Sequence, residues 1–288
     1  MIAEINNRHH PAATPPEPPA DPVKPKHSGP MDYLSASRLK CWQECRLKFL
    51  FRYVERIPVP TVPNLFAGSV VHAVLQAWNL GRWRGGDTSL AAMRVAFDRD
   101  WVNRSVTDKP KWEDTNEEAA VMAEAWATVT HWLDNPTVPL DLPPEGVEVS
   151  ITADLSDHCL PPLLGVLDLV LPGGRVIDFK TAGRKPDRVM ALHQHQTQMA
   201  CYALLYRDAT GEMESSLELH HLIKTKKPAT LVAASGPAGE AQLAKLHVAM
   251  RGYVDGIGRK DWTASPGQHC AWCDYRTQCN NWKGTKQQ

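Results

Sequence analysis

Hydrophobic side chains recur at three- and four-residue intervals through the first half of the chain, from Leu34 to about residue 134. That spacing places apolar side chains on one face of an α-helix. Ser35 can cap the first predicted helix, which carries apolar residues as far as Val54. Further helices are predicted at about residues 67–80, 88–104 and 116–134. We therefore expect a helical N-terminal half.

The pattern changes after a group of prolines near residue 140. Alternating apolar positions and short continuous apolar runs then predict strands bounded by turn residues. The predicted strands are Val147–Leu155, Leu163–Leu171, Arg175–Lys180 and Leu217–Lys224, with helices at Val189–Tyr206 and Gly239–Ile257. Because a sheet must bury its faces against other elements, this order predicts an α/β fold with a small mixed central sheet flanked by helices.

The first 30 residues differ in composition from the rest of the chain. They contain eight prolines and few large apolar side chains. Such a segment cannot bury enough apolar surface to offset its chain entropy, so we predict a disordered tail over residues 1–30. Residues 31–288 are predicted to form a single domain with a helical insertion at about 80–140, and a hydrophobic content of 43% is enough to build its core.

The net charge is zero, so composition alone does not indicate a nucleic-acid partner. Residues 38–56, however, contain six Lys or Arg against two acids. No stretch approaches the roughly 20 apolar residues of a membrane span, and the N-terminus lacks a signal-peptide pattern. We therefore expect a cytoplasmic protein with no membrane partner, in which cysteines bind metal rather than form disulfides.

Asp168 and Asp178 lie within the apolar strands of a predicted hairpin. A two-residue loop at Gly173 and Gly174 would point these aspartates to opposite faces of the sheet. A three-residue loop that includes Pro172 would place them directly opposite each other. Proline cannot donate to a strand ladder, which favours the longer loop. In that register one face carries Asp168, Asp178 and Lys180, and the other face carries Leu167, Leu169, Ile177 and Phe179.

Two carboxylates this close repel each other unless a cation lies between them. Their hard oxygen atoms suit Mg²⁺ or Mn²⁺, and Lys180 could orient an attacking water and stabilise charge on a phosphate. An ordinary ion pair between Asp178 and Lys180 on a half-exposed hairpin is the alternative interpretation. Glu148, in the strand before the hairpin, is a further candidate for a ligand or a base.

Three cysteines near the C-terminus, Cys270, Cys273 and Cys279, have the spacing C-x2-C-x5-C. Cys45 is a candidate fourth ligand from the N-terminal half. Four thiolates can hold either zinc or an iron–sulfur cluster, and the spacing alone does not separate them. Alternative ligands are Cys41, one helical turn from Cys45, and, for zinc, His269.

Over residues 33–280 the chain resembles the RecB-type branch of the PD-(D/E)xK nuclease superfamily, which includes CRISPR-associated nucleases. The matching motifs are the helix start Leu34–Leu39 with Cys45, the pair Gly68 and His72, the hairpin positions Gly165, Asp168, Asp178 and Lys180, and the pair Gln198 and Tyr202. One position departs from the family, since Arg46 stands where proline often follows the cysteine.

This resemblance implies a restriction-endonuclease-like core and a role for each matched residue. The implied metal ligands are His72, Asp168, Asp178 and the carbonyl oxygen of Phe179. Lys180 is implied as the catalytic lysine, and Gln198 and Tyr202 as its support or as contacts to the DNA backbone. The resemblance also implies a [4Fe-4S] cluster on Cys45, Cys270, Cys273 and Cys279, with structural zinc as its rival.

The activity implied by the resemblance is hydrolysis of DNA to 5′-phosphate ends, by an exonuclease acting on ends or single strands in recombination or repair. An RNA-directed nuclease and a non-catalytic nucleic-acid-binding module stabilised by a cluster or by zinc are the alternatives. The sequence has no G-x-x-x-x-G-K-[ST] nucleotide-binding loop. We therefore expect a separate helicase or recombinase partner, in the cytoplasm of a bacterium or a phage-infected cell.

Overall fold

The computed structural model describes residues 29–284. The predicted tail lies outside the described residues except for Gly29 and Pro30. These two residues pack against the domain, because their carbonyl oxygen atoms accept hydrogen bonds from Arg38 Nη1 at 3.0 and 3.3 Å. The structure of the domain therefore extends to Gly29.

The helical N-terminal half is confirmed. Ser35 caps the first helix, and its hydroxyl oxygen accepts a hydrogen bond from the backbone N–H of Arg38 at 3.3 Å. The helices of this half are α1 (Ala36–Glu44), α2 (Arg46–Phe49), α3 (Pro63–Arg84), α4 (Leu90–Asp108) and α5 (Thr115–Asp134), and a π-helical turn (Leu50–Val54) follows α2. Helix α3 begins earlier than predicted because proline is favourable in the first turn of a helix.

The first predicted helix is interrupted at Cys45. This residue has an extended backbone, with φ −164° and ψ 116°, and it ends α1 and caps α2. Its Sγ accepts a hydrogen bond from the backbone N–H of Lys48 at 3.5 Å. The prediction of one continuous helix up to Val54 is therefore wrong at this residue. The thiol of Cys45 accepts the hydrogen bond from the Lys48 N–H that a backbone carbonyl would accept in a continuous helix.

The sheet is mixed and has five strands in the order β1-β2-β3-β4-β5. The strands are β1 (Gly146–Ala153), β2 (Leu163–Leu171), β3 (Arg175–Ala182), β4 (Ser216–Ile223) and β5 (Ala229–Ser235). β3 and β4 are parallel, and the other neighbouring pairs are antiparallel. β5 was not predicted, because its three alanines give a weak strand signal.

The second half adds helices around these strands. They are α6 (Arg188–Gln194), α7 (Gln196–Thr210), α8 (Glu240–Gly258) and α9 (Arg276–Asn281), with a 3₁₀ turn at Gln268–Trp272. The single helix predicted from Val189 is divided at His195, which ends α6 and precedes α7. None of the helices in residues 29–284 has the length and apolarity needed to cross a membrane.

Helices cover both faces of the sheet and form two core layers. In the first layer α1, α7 and α8 contribute residues such as Leu39, Met199 and Tyr253. In the second layer α3, α4 and α5 contribute residues such as Phe66, Phe97 and Trp132. The predicted α/β fold with a small mixed sheet and a helical N-terminal half is confirmed.

The turn between β2 and β3 is the three-residue loop that the sequence favoured. The strand ladder pairs Leu171 with Arg175, Val170 with Val176, and Leu169 with Ile177. The loop glycines, at 173 and 174, have φ values of +78° and +74°, a left-handed conformation that glycine adopts without steric cost. Continuing this register puts Asp168 and Asp178 at matching positions just beyond the last ladder pair.

The prediction for the apolar face of the hairpin is wrong at one residue. Leu169, Ile177 and Phe179 belong to the second core layer as predicted, but Leu167 belongs to the first. The strict alternation of a strand is broken between Leu167 and Leu169. Their partners in β1 divide in the same way, since Val147 belongs to the second layer and Val149 to the first, and Glu148 between them has a φ of +49°.

Candidate functional site

The two aspartates lie in a fork between β2 and β3. The ladder between these strands ends at Leu169 and Ile177, and the other end of β2 bridges instead to Leu34, just before α1. Beyond the last ladder pair, Asp168 Oδ2 accepts a hydrogen bond from the backbone N–H of Phe179 at 2.8 Å. The Asp168 carboxylate thus occupies a place that a strand–strand hydrogen bond would otherwise fill.

Asp178 is buried, and two side chains of α7 donate hydrogen bonds to its carboxylate. Gln198 Nε2 and the Tyr202 hydroxyl both donate to Asp178 Oδ1, at 2.9 and 3.1 Å. Gln198 Nε2 also donates to the Tyr202 hydroxyl oxygen at 2.8 Å. The spacing of four residues puts both side chains on one face of α7, as the sequence indicated. These two residues therefore fix the orientation of the Asp178 carboxylate.

Lys180 lies beside the other oxygen of Asp178. Its Nζ is 2.6 Å from Asp178 Oδ2. This Oδ2 atom is buried, and among the described residues it accepts no hydrogen bond. Its interaction with Lys180 is therefore an ion pair. The arrangement leaves a carboxylate oxygen and a cationic amine together at the fork.

His72 reaches the fork from α3. Its Nδ1 lies 3.6 Å from Asp168 Oδ2. Helix α3 approaches β3 closely because Gly68 has no side chain, and a Cβ atom there would lie 2.7 Å from the hydroxyl of Thr181. The predicted pair of a glycine and a histidine four residues later thus has two functions, close packing by Gly68 and placement of His72.

Glu148 joins this group from β1. The ligand atoms of His72, Glu148 and Asp168 all lie within 4.8 Å of one another. The left-handed backbone of Glu148 is uncommon for a residue other than glycine and costs on the order of 1 kcal/mol or more. A single acid in a strand gave only a weak indication of this role. The structure places Glu148, a candidate from the sequence, together with His72 and Asp168 as residues that could hold a metal.

Burial shifts the pKa values of these groups in opposite directions. Burial, followed by the charges of Asp178 and Glu148, raises the pKa of Asp168 well above 3.8. Burial also lowers the pKa of His72 to about 4, so its imidazole is neutral at neutral pH and can donate a lone pair to a metal. Burial and the nearby aspartates raise the pKa of Tyr202, which keeps its hydroxyl protonated as a donor to Asp178.

A groove of about 450 Å³ opens at this site. One end is lined by Asp168, Gln198 and Tyr202, and the remainder is lined largely by small side chains and hydroxyl groups, including Ser35, Ser37, Ser150 and Thr152. Phe179, whose carbonyl oxygen was predicted as a ligand, lies in β3 between the two site residues Asp178 and Lys180, and its ring packs in the second core layer.

The four predicted cluster cysteines line one cavity of about 530 Å³. Cys45 enters it from the break between α1 and α2, and Cys270, Cys273 and Cys279 enter it from the C-terminal segment. Cys41 is buried in α1 and is not among the residues that line this cavity. Burial, followed by the charges of the other three thiols, raises the pKa of Cys279. The structure therefore brings the two ends of the domain together at these cysteines.

Two histidines near the site were not predicted. His195 Nδ1 lies 3.3 Å from Gln198 Oε1, at the junction of α6 and α7. His221 is paired with Lys180 in the parallel ladder and is buried, and neither ring nitrogen has a hydrogen-bond partner among the described residues. Their only signal in the sequence is residue type, because their proximity depends on parallel pairing that the sequence pattern does not specify.

Comparison with known proteins identifies relatives of the whole domain. Residues 33–280 match the family model of the PD-(D/E)XK nuclease superfamily. No curated protein sequence matches the chain. The fold is similar to the crystal structure of a protein described as "Putative exonuclease" from Eubacterium rectale, with a TM-score of 0.56, 14% sequence identity, and coverage of 90% of this chain and 91% of that chain. A structure named SSO0001 aligns with a TM-score of 0.40 at 12% identity over 88% of both chains.

Proposed function

Because the chain belongs to the PD-(D/E)XK nuclease superfamily, we propose that it is a Mg²⁺- or Mn²⁺-dependent DNA exonuclease. Superfamily membership implies hydrolysis of phosphodiester bonds in a nucleic acid. One observation carries the proposal for the metal. The ligand atoms of His72, Glu148 and Asp168 converge at the fork beside the buried Asp178, and gathering these acids is costly for the fold unless a cation binds there.

The residues at the fork fit a hard divalent cation. Carboxylate oxygens from Asp168, Asp178 and Glu148 and the imidazole of His72 are suitable donors, and the buried Asp178 Oδ2 still lacks a hydrogen bond. Together with the Phe179 carbonyl oxygen, these groups form the proposed ligand set. When bound, Mg²⁺ or Mn²⁺ would supply Lewis acidity and neutralise charge on the phosphate.

The protein's own residues supply the remaining chemistry. The Lys180 ammonium stands at the fork, where it can stabilise negative charge that develops on the phosphate oxygens and orient the attacking water. Gln198 and Tyr202 are positioning residues, since they hold Asp178 through Oδ1 and leave Oδ2 facing the lysine. Attack of water on the phosphorus with cleavage of the P–O3′ bond would leave a 5′-phosphate on one product and a 3′-hydroxyl on the other.

For the cysteine cavity we propose a [4Fe-4S] cluster held by Cys45, Cys270, Cys273 and Cys279. Tetrahedral zinc with Zn–S bonds of about 2.3 Å requires sulfur atoms about 3.8 Å apart. Among residues 29–284, no three thiols have sulfur atoms within 4.8 Å of one another. These thiols lie further apart than tetrahedral zinc requires, and a cluster is larger than a single zinc ion. Zinc, with or without His269, is therefore the second candidate.

The proposed substrate is DNA with a free end or a single-stranded region, and the proposed setting is recombination or repair in a bacterial or phage-infected cytoplasm. A helicase or recombinase would supply such substrate. The groove supports this choice, since about 450 Å³ next to Asp168 accommodates a segment of one strand more readily than a duplex. RNA remains the competing substrate, because the metal site does not read the sugar.

The nuclease proposal is tested with end-labelled linear DNA and Mg²⁺ or Mn²⁺. We expect Asp168→Asn and Lys180→Ala to lower the cleavage rate by on the order of 100-fold or more. Asp157→Asn and Lys245→Ala change exposed residues outside the fork and serve as matched controls with unchanged rates. Covalently closed circular DNA should resist digestion if the enzyme requires an end.

Four outcomes would contradict parts of the proposal. Cleavage that persists in both site variants would remove these residues from the mechanism. Equal digestion of linear and circular DNA would exclude the exonuclease mode, and faster digestion of a matched RNA would replace DNA as the substrate. Binding without cleavage under all metal conditions would favour the non-catalytic module stabilised by a cluster or zinc.

A further inference from the structure

Exposed cations gather where the parallel strands β3 and β4 end. Arg184 and Lys185 follow β3, and Lys226 and Lys227 follow β4. All four are exposed, and none takes part in a salt bridge within residues 29–284. Asp187, the acid nearest in sequence to Arg184 and Lys185, caps α6 by accepting a hydrogen bond from the backbone N–H of Met190. In the part of the chain that the structure describes, these four cations therefore have no ionic partner.

Strand pairing holds these cations next to the fork. Ala182 pairs with Ile223, and the N–H of Lys224 donates to the carbonyl oxygen of Ala182 at 2.8 Å. Both loops therefore leave the sheet side by side, only a few residues beyond Lys180 in β3. At about 3.3 Å per residue, their first residues lie within roughly 10–15 Å of the lysine along the strand.

The loop after β4 is anchored to the helical half. Lys224 Nζ donates to the carbonyl oxygen of Asn64, at the start of α3, at 3.0 Å. The segment after α4 touches the same region, since the N–H of Lys111 donates to the carbonyl oxygen of Thr61 at 3.2 Å. The start of α3 therefore joins the cationic loops to the end of α4.

Arg104 extends the cationic region from α4. It lies three residues after Trp101 and seven after Phe97, both buried, and so faces the same side of α4, towards α3. Its Nε is buried and has no hydrogen-bond partner among the described residues. Helix α4 packs against α3, the helix that carries His72, so this guanidinium lies on the side of α4 that faces the helix of the site.

We propose that Arg104, Arg184, Lys185, Lys226 and Lys227 form a binding surface for the phosphate backbone of the substrate strand as it leaves the fork. This inference rests on the proposed function and assigns the surface that the substrate crosses. Unpaired cations along one edge match the regular negative charge of a nucleic-acid strand. Arg104, with its planar guanidinium, suits a phosphate close to the metal ligands.

The experiment measures DNA binding separately from cleavage. A fluorescein-labelled single-stranded DNA of about 20 nucleotides is titrated with protein in EDTA, and its anisotropy gives Kd over about 50–200 mM KCl. Each phosphate contact that is lost should lower the magnitude of the slope of log K against log [KCl] by about 0.7. We expect a loss of up to about 2.8 for the variant with Arg184, Lys185, Lys226 and Lys227 all changed to alanine, and of about 0.7 for Arg104→Ala.

The controls separate a phosphate contact from a general loss of charge or fold. Arg251→Ala/Arg259→Ala removes two exposed cations at α8, which packs in the first core layer, and should leave Kd and slope unchanged. Arg104→Lys keeps the charge and should retain the slope. Unchanged melting temperatures establish that the variants are folded.

The binding experiment distinguishes a failure of the proposed function from a failure of the proposed binding surface. A native protein that does not bind DNA at all would count against the proposed function itself. Native protein that binds DNA with the usual salt dependence, together with loop and Arg104 variants that keep both Kd and slope, would overturn only the assignment of this surface.

Discussion

The carboxyl group of Asp168 is largely buried beside two other acids, and this lowers the stability of the metal-free protein at neutral pH. Burial and then the charges of Asp178 and Glu148 raise its pKa well above 3.8. A folded state with a raised carboxyl pKa holds the proton more tightly than the unfolded state. The stabilising effect is fully present below about pH 3.8 and is lost as the pH rises through the folded pKa. At neutral pH the ionised site therefore opposes folding.

We predict that Asp168→Asn stabilises the metal-free protein at pH 7–8 by about 1–2 kcal/mol in free energy of unfolding. The amide removes the charge repulsion, and its oxygen can still accept the hydrogen bond from Phe179. Mn²⁺ should stabilise the native protein increasingly as the pH rises, since the cation competes with the proton, and should have little effect on the variant. Urea unfolding at pH 6, 7 and 8 with and without Mn²⁺ measures both effects.

Asp157→Asn, at an exposed residue, is the control for this charge change. Equal stability of Asp168→Asn and the native protein would show that the acids do not strain the fold. Equal stabilisation of both by Mn²⁺ would place the cation elsewhere.

The sequence predicts residues of the site when their relation is local. Asp178 and Lys180 are two apart on a strand, and Gln198 and Tyr202 are four apart on a helix, so each pair shares a face by simple periodicity. Glu148 is different, because its closeness to His72 depends on a left-handed backbone in β1. No local pattern in the sequence specifies that conformation.

The junction between α6 and α7 couples the second helical region to the site. His195 stands at this junction and lies 3.3 Å from Gln198, which in turn holds Asp178. Burial, followed by the charge of Lys180, lowers the pKa of His195 to about 4 from 6.5. The folded protein thus keeps this imidazole neutral, while the unfolded chain takes up a proton below about pH 6.5. Stability is therefore lost as the pH falls from 6.5 towards 4.

We predict that His195→Gln makes the stability of the domain less sensitive to acid. Glutamine has no proton to gain in this range, so the variant should lose less free energy of unfolding than the native protein between pH 7 and pH 5. The difference should be at most about 1 kcal/mol, since the ring is partly exposed and solvent screens it. Urea unfolding at the two pH values gives the comparison.

His193→Gln, two residues earlier in α6, is the matched control, and we expect its stability to have the same pH dependence as that of the native protein. If His195→Gln has the same pH dependence as the native protein, the junction histidine does not contribute to acid sensitivity.

Most helices and strands follow from the hydrophobic pattern, and the exceptions have physical causes. Four strands and the long helices were predicted because each buries one continuous apolar face. β5 was missed because alanine is a poor indicator of a strand. The breaks at Cys45 and His195 were missed because each joins two helical segments without proline or glycine, so the sequence carries no breaking signal there.

The cysteine cavity connects the first helices to the end of the described chain. Cys45 lies between α1 and α2, whereas Cys270, Cys273 and Cys279 lie around the 3₁₀ turn and α9. Among residues 268–284, which form the C-terminal segment, Tyr275 is the only buried residue. A centre bound to all four thiolates would therefore contribute a large part of the stability of the C-terminal segment.

The last prediction concerns this long-range connection. Under anaerobic purification the native protein should contain iron and show the broad visible absorbance of an iron–sulfur centre. Cys279→Ser and Cys45→Ser should each lose most of the iron and lower the melting temperature, and the C-terminal segment should become sensitive to protease. Cys159→Ser is an exposed control outside the cavity. Cys41→Ala tests the alternative ligand, and retention of iron in this variant is expected because Cys41 does not line the cavity.

A colourless protein that contains zinc, and loses it in the same two serine variants, would replace the iron–sulfur cluster with a zinc site but keep the connection between the chain ends. Full stability of both serine variants would instead show that packing around Tyr275 holds the C-terminal segment without a metal centre.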